Sequence, residues 1–84
     1  MEELNKNIIE ELDKSGLIYL FLGSLISSEK LLSIKDCENS LEQMIILDNS
    51  LKVSNIDNDK KIKYKDFIDR GIEIIKRDLE NIQE

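Results

Sequence analysis

Residues 17–26, LIYLFLGSLI, carry most of the information about the fold of this chain. Gly23 and Ser24 are the only interruptions of the apolar run, so a helix formed here would be apolar around much of its circumference. A surface helix of a globular domain buries one apolar stripe and exposes a polar face. The run therefore predicts either the central helix of a small domain or a helix that presents an apolar surface to a partner.

Helical periodicity extends from this run towards both ends of the chain, and strand-like alternation is nearly absent. The predicted helices are residues 2–13, 17–26, a short helix within 27–34, 38–51, 62–75 and a last helix that ends near residue 83. The spacing thus predicts a single all-α domain, residues 1–84, built as a small antiparallel bundle of five to six helices.

Turn-forming residues divide the predicted helices. Ser15 is predicted to cap the second helix, and Gly16 to relieve the sharp turn before it. Residues 52–61, KVSNIDNDKK, are the most polar piece of the chain and predict its longest loop. Gly71 is predicted to be the point at which the C-terminal apolar stripe breaks into two helices.

The composition of the 84 residues excludes several classes of site. The chain has no histidine and one cysteine, so it lacks the commonest general base and cannot form a zinc–thiolate site or a disulfide framework. Cys37 is predicted to be a semi-buried apolar residue and not a nucleophile. A net charge of −6 opposes binding to a phosphate backbone. We expect no catalysis, no cofactor, no metal and no nucleic acid, and a protein as the partner.

Charge and composition also bear on location and source. Charged residues make up 36% of the chain and interrupt every window long enough to span a membrane. The acidic start, MEELNKNIIEELDK, differs from a secretory signal, so a cytoplasmic location is expected. The 14 Ile and 12 Leu against one Val and no Ala indicate an AT-rich genome, such as that of a bacterium, a phage or a large DNA virus.

The acidic segment 55–66 resembles the calcium loop of an EF-hand in the spacing of its oxygen side chains. Asn55, Asp57 and Asp59 occupy ligand positions, but Lys60 stands where the loop needs a glycine for its sharp turn. The lysine charge would also oppose a dication. An ordinary solvated turn is the favoured interpretation.

The segment NSLE, residues 39–42, resembles the phosphopantetheine attachment site of an acyl carrier protein at Ser40. Attachment needs an exposed serine at a helix start, commonly after a turn that contains glycine, and the preceding residues do not supply that turn. A helix-surface serine is the favoured interpretation.

Four segments, in the right order, resemble a death effector domain. The second predicted helix resembles the family pattern Leu-x-x-Leu-Lys-Phe-Leu without its lysine, and a basic Lys-Leu-x-x-Ile pattern follows it. The first match is Leu17, Leu20, Phe21 and Leu22, and the second is Ile26, Lys30, Leu31 and Ile34. Residues 40–51, SLEQMIILDNSL, resemble the fourth helix of the family. Lys76, Arg77, Asp78 and Leu79 resemble its Arg-x-Asp-Leu motif, with lysine in the arginine place.

The resemblance, which covers residues 4–51 and 67–82, implies a six-helix death fold that acts by homotypic association. The implied partners are the death effector domains of a death-receptor adaptor or an initiator caspase. The implied partner-binding residues are Leu17, Leu20, Phe21, Leu22, Leu25, Lys76 and Asp78. The family pattern has an acid at the position of Gly16, so its charged triad lacks a member here unless Asp13 substitutes.

A single domain of this kind in AT-rich composition resembles a viral inhibitor of death-receptor signalling, which would occupy its partner in the host cytoplasm. The alternative is a bacterial or phage inhibitor or immunity-type module whose apolar second helix forms a homodimer. A third possibility is a degenerate acyl-carrier or EF-hand-like domain. The first two alternatives both allow a homo-oligomer.

Overall fold

The computed structural model describes residues 2–27 and 32–82, with side chains from Ile8 onward. The described residues form four helices and no strand: α1 (Glu2–Ser15), α2 (Ile18–Leu25), α3 (Ile34–Val53) and α4 (Asn58–Asn81). The all-α prediction is confirmed, and the prediction of five to six helices is wrong for this part of the chain.

Half of the segment 27–34, in which a short helix was predicted, lies outside the described residues. Residues 28–31, which include Lys30 and Leu31 of the family pattern, are among those that the structure does not describe. Leu32 and Ser33 form a bend that leads directly into α3.

The long helices α3 and α4 pack side by side over most of their length and run in opposite directions. Lys65 of α4 pairs with Asp48 of α3, and Gly71, further along α4, lies against Met44, further back along α3. Contacts that move backward on one helix as they move forward on the other define an antiparallel pair. The connection of four residues, 54–57, requires the same arrangement.

Helix α3 begins four residues earlier than the sequence predicted. Ser33 has an extended backbone, and its side-chain oxygen accepts a hydrogen bond from the backbone N–H of Asp36 at 3.1 Å. A serine in this geometry satisfies one of the free N–H groups of the first helical turn. Asp36 itself lies in that turn, where its charge complements the helix dipole.

Helix α4 also begins earlier than predicted, so the predicted loop of 52–61 shrinks to 54–57. The acidic and amide residues in this segment are turn formers, but the same residue types are favoured at helix N-termini. Asp57 occupies the N-cap position, and its carbonyl accepts the N–H of Lys61 at 2.9 Å. The polar composition therefore marks a helix start as well as a turn.

Gly71 does not divide the C-terminal helix, because α4 continues through it. A Cβ atom at Gly71 would lie 2.6 Å from Cε of the buried Met44. The glycine thus lets α3 and α4 approach closely, which compensates for the low helix propensity of the residue.

The turn between α1 and α2 forms at Gly16, as predicted, with a left-handed φ of 75°. The predicted capping role of Ser15 is wrong, because Ser15 ends α1 and its hydroxyl donates to the carbonyl of Leu12 at 3.2 Å. Leu17 occupies the N-cap position of α2 without any side-chain cap.

Helix α2 packs against each of the other three helices, and its inward side chains join a continuous core. The buried apolar residues of this core come from all four helices: Ile9, Ile18, Leu22, Leu25, Cys37, Met44, Leu47, Leu51, Tyr64, Ile68 and Ile75. The surface of α2 that does not face this core is the starting point for function.

Candidate interaction surface

The inward side of α2 carries the buried residues Ile18, Leu22 and Leu25. Their spacing of four and three residues places them on one stripe of the helix. Leu22 has 0% of its surface exposed, and Leu25 is also buried. Both were predicted to contact a partner, and in this structure both contact the chain's own core.

The other predicted residues of α2 lie at the surface. Leu20 is 72% exposed and points away from the buried stripe, together with the N-cap residue Leu17. Tyr19 and Phe21 lie on the two flanks between the outward and inward sides, and both are partly exposed. We call these four residues the α2 face.

The α2 face concentrates apolar exposure in a short piece of chain. Nine large hydrophobic side chains are exposed among the described residues, and four of them lie within residues 17–21. Scattered single apolar residues are ordinary on a protein surface, whereas a contiguous group commonly marks an interaction site. The sequence left a central helix and an exposed apolar helix as alternatives, and α2 is buried in the core on one side and has exposed apolar side chains on the other.

A groove of about 350 Å³ runs beside the α2 face, between α2 and α4. Its α2 wall is formed by Tyr19 and Ile26, and its α4 wall contains Phe67, Gly71 and Ile74. Charged side chains border it on α4, where Arg70 pairs with Asp66 at 3.2 Å. The lining of the groove is mostly apolar, and the groove is open to solvent.

Aromatic contacts hold α2 against α4 at this groove. The ring of Tyr19 lies 5.2 Å from that of Phe67 and 5.5 Å from that of Tyr64, measured between ring centroids. The second contact is edge-to-face, a favourable geometry for two rings. Tyr19 is thus shared between the surface and the packing that positions α2, a role the sequence analysis missed because it depends on a contact with a helix about 45 residues away.

Hydrogen bonds from Tyr64 and Lys60 to Asp13 link the start of α4 to α1, next to the aromatic contacts. The hydroxyl of the buried Tyr64 donates to Asp13 at 2.5 Å, and the Lys60 ammonium donates to the other carboxylate oxygen at 3.2 Å. The hydrogen bond from Tyr64 and the nearby Lys60 hold the pKa of Asp13 below its usual value. Burial, with the adjacent carboxylate, raises the pKa of Tyr64 to about 12.

This group bears on the prediction that Asp13 completes a charged triad. Both oxygens of its carboxylate are engaged within the chain, so Asp13 acts here as a link between helices. The amphipathic spacing of the first helix gives no sign of this role, because the link depends on two side chains of α4 that reach the end of α1.

The predicted charged cluster consists of Lys76 and Asp78, both in α4. Lys76 is exposed and Asp78 is partly buried. Residues two positions apart point to different sides of a helix, so the two charges do not share one face. The structure therefore places Lys76 at the surface and brings neither residue into contact with the α2 face.

The two motif-like segments take conformations unlike the sites they resemble. Residues 58–66, most of the apparent calcium loop, are helical, so their carboxylates do not converge as a loop would arrange them. Within the described ranges, no three acidic or cysteine side chains group closely enough to hold a metal ion. Ser40 is buried in the second turn of α3 and is not exposed for attachment of a cofactor arm.

Cys37 lies in the core, as the sequence predicted for an apolar role. Burial raises the pKa of its thiol, and the charges of Asp78 and Asp36 act in the same direction. A thiol with a raised pKa is mostly protonated at neutral pH and is a poor nucleophile.

Comparisons with known proteins give no relative from which a function could be transferred. No protein-family model matches the chain, and neither a curated protein nor a solved structure does so. Among the helices of the described residues, none combines the length and apolar character needed to cross a bilayer.

Proposed function

We propose that this chain is a non-catalytic protein-interaction module that binds its partner through the α2 face. The observation that carries the proposal is the exposure of Leu17 and Leu20 at a helix that has no charged side chain. Residues 15–28 contain no charged side chain, although 36% of the whole chain is charged. Aromatic and large apolar side chains grouped in this way supply much of the binding energy of protein interfaces.

The energetics favour a binding role for these side chains over a structural one. Full burial of a leucine is worth about 1.5–3 kcal/mol relative to leaving it in water. Leu20 makes little of that contribution to folding, because most of its surface stays exposed. A partner that covers Leu17 and Leu20 would gain what folding leaves unused.

The resemblance to death effector domains supplies the partner class to test first. In that proposal the chain binds a death-receptor adaptor or an initiator-caspase prodomain and so blocks further assembly as a viral-type inhibitor. The described residues form four helices, two of them 20 and 24 residues long, whereas the resemblance implies six. The partner class therefore rests on the sequence resemblance. Of the implied residues in α2 and its cap, Leu17, Leu20 and Phe21 are available at the surface.

The test is co-precipitation of the full chain with the adaptor and with the caspase prodomain, using one matched pair of variants. Leu20→Asp places a charge on the α2 face, and Ile62→Asp places one at an equally exposed apolar residue of α4. We expect the wild type and Ile62→Asp to capture the partner and Leu20→Asp to lose it. All three chains should keep the same helical circular dichroism.

Three results would count against parts of this proposal. Failure of the wild type to capture either protein would remove death effector domains as the partner class. Equal capture by Leu20→Asp and the wild type would remove the α2 face as the binding surface. Loss of helicity in Leu20→Asp would mean that the residue belongs to the core after all.

A further inference from the structure

The three glycines of the chain differ in what the fold requires of them. Gly16 has a left-handed backbone, and Gly71 lies so close to Met44 that a Cβ would collide with it. Gly23 meets neither condition: it has no left-handed backbone angle, and a Cβ built there has no atom within 4 Å. A glycine inside a helix weakens that helix, so nothing within the described chain accounts for Gly23.

Gly23 lies on the outer side of α2, away from the buried stripe. It lies four residues after Tyr19 and three before Ile26, on the side of α2 that forms the groove wall. Leu20 precedes it by one turn on the outward side. Because Gly23 has no side chain, it leaves a shallow depression in an otherwise apolar surface. Such a depression lets another backbone approach closely.

We propose that a second copy of this chain packs on this surface, with the two α2 helices crossing near Gly23. The inference rests on the proposed function, in that it uses the α2 face for protein binding, and it adds a second copy of the chain as a partner for that face. In a two-fold pair the same patch meets itself, so each Gly23 would lie near the backbone of the other helix.

Charge favours a second copy as the occupant. Close to a two-fold axis each residue lies near its own copy, so a charge at that point faces a like charge. The chain holds 30 charged residues in 84, but none between residues 15 and 28. Two chains of net charge −6 repel at long range, and α2 is where they can approach with the least repulsion.

The size of the surface sets the strength of the pair. Helix α2 has eight residues, a length of about 12 Å, which is short compared with the contact of a stable dimer. The adjoining groove of about 350 Å³ adds room for an apolar side chain of the second copy. We therefore expect a reversible dimer with a dissociation constant on the order of 0.1 mM.

Sedimentation equilibrium of the full chain over a range of concentrations tests the pairing. The average mass should rise from the 9.8 kDa of the monomer towards twice that value. Added salt should strengthen the dimer, because it screens the repulsion between two acidic chains. A mass that stays at 9.8 kDa at every concentration would overturn the proposal.

Variants at the crossing point locate the contact. Gly23→Leu should weaken the dimer at least about tenfold by holding the helices apart, and Gly23→Ala should weaken it less. Asn49→Leu, which adds the same side chain at an exposed position of α3, should leave the dimer unchanged. Because a Cβ at Gly23 meets no atom of the described chain within 4 Å and the position lies on the outer side of α2, both Gly23 variants should fold. A dimer equally strong in the wild type and Gly23→Leu would overturn the proposal.

The two proposals can fail separately. A chain that remains monomeric but captures another protein through Leu20 would refute self-pairing and leave the interaction module in place. A dimer that is insensitive to both Gly23→Leu and Leu20→Asp would lie elsewhere on the molecule and contradict the use of the α2 face for self-association.

Discussion

Helices α2 and α4 both bury a stripe of apolar residues, but they differ in the residues that cover their remaining surface. Helix α4 buries one stripe, which includes Tyr64, Ile68 and Ile75, and carries mainly charged side chains on the rest of its surface. Helix α2 buries a comparable stripe but has leucine and aromatic residues on its other sides as well. Apolar content alone does not distinguish a helix that is only part of the core from one that also has an exposed apolar face. The two are distinguished by the apolar surface that remains exposed after one stripe of the helix is buried.

The largest expected effect compares two leucines two positions apart in α2. Leu22→Ala should lower the free energy of unfolding by about 2–4 kcal/mol, because it leaves a cavity in the core. Leu20→Ala should change it by less than about 0.5 kcal/mol, because that side chain is mostly in water. Urea unfolding of the two variants measures both values. Similar losses in both would mean that α2 has no surplus face.

The link between α1 and α4 predicts a loss of stability at alkaline pH. The pKa of Tyr64 is raised to about 12 from 10.0, so the folded state keeps a proton that the unfolded state releases. The resulting stabilisation is complete below pH 10 and is lost as the pH rises from 10 to 12, by up to about 2 kcal/mol. Unfolding of Tyr64→Phe across this range should lack that component. An identical alkaline slope in Tyr64→Phe would show that Tyr64 does not cause it.

The same link predicts the opposite pH dependence on the acid side. The pKa of Asp13 is lowered in the folded state, so its contribution is present above the unfolded value of 3.8 and is lost as the pH falls below it. Asp13→Asn should therefore reduce the acid sensitivity of the chain. Acid unfolding followed by circular dichroism measures the difference, and an unchanged acid midpoint would contradict it.

A smaller change in the free energy of unfolding is expected from the glycines of the two helices, Gly23 in α2 and Gly71 in α4. Gly23→Ala should raise the free energy of unfolding by about 1 kcal/mol at concentrations where the chain is monomeric, because alanine favours the helix and meets no obstacle. Gly71→Ala should gain less, because its Cβ requires the buried Met44 side chain to move. Thermal unfolding of the two variants, measured side by side, gives the order. A larger gain at Gly71 would be inconsistent with the close packing of α3 and α4.

The smallest effect is expected from the charged surface of α4. Arg70→Ala removes an ion pair with Asp66 in which both side chains are largely exposed. Pairs of this kind contribute only about 0.3–0.5 kcal/mol. Urea unfolding should show a change of this size or none, and a loss above about 1 kcal/mol would show that the α4 surface carries more of the fold than its exposure indicates.

Periodicity in the sequence was sufficient to predict the helical class, whereas the apolar run at residues 17–26 left open whether α2 is central or exposed. Periodicity was insufficient at the helix ends, where Ser33 as a cap and Asp57 near a helix start look the same in sequence as residues of a loop. Gly71 appeared to be a break because its compensation comes from Met44, 27 positions earlier in the chain. The division of α2 into Leu22 inside and Leu20 outside depends on how the helix is rotated against its neighbours, and a run that is apolar on every side does not encode that rotation.

The most direct test of the α2 face is the binding footprint of the isotopically labelled chain in solution. Amide NMR spectra recorded at rising chain concentration, and then with each candidate partner, show which residues change environment. We expect the spectral changes to concentrate at residues 17–26 and in the α4 wall of the groove around Phe67 and Ile74, while the start of α4 stays unaffected. A footprint that leaves residues 17–26 unchanged and lies on another part of the chain would contradict this expectation.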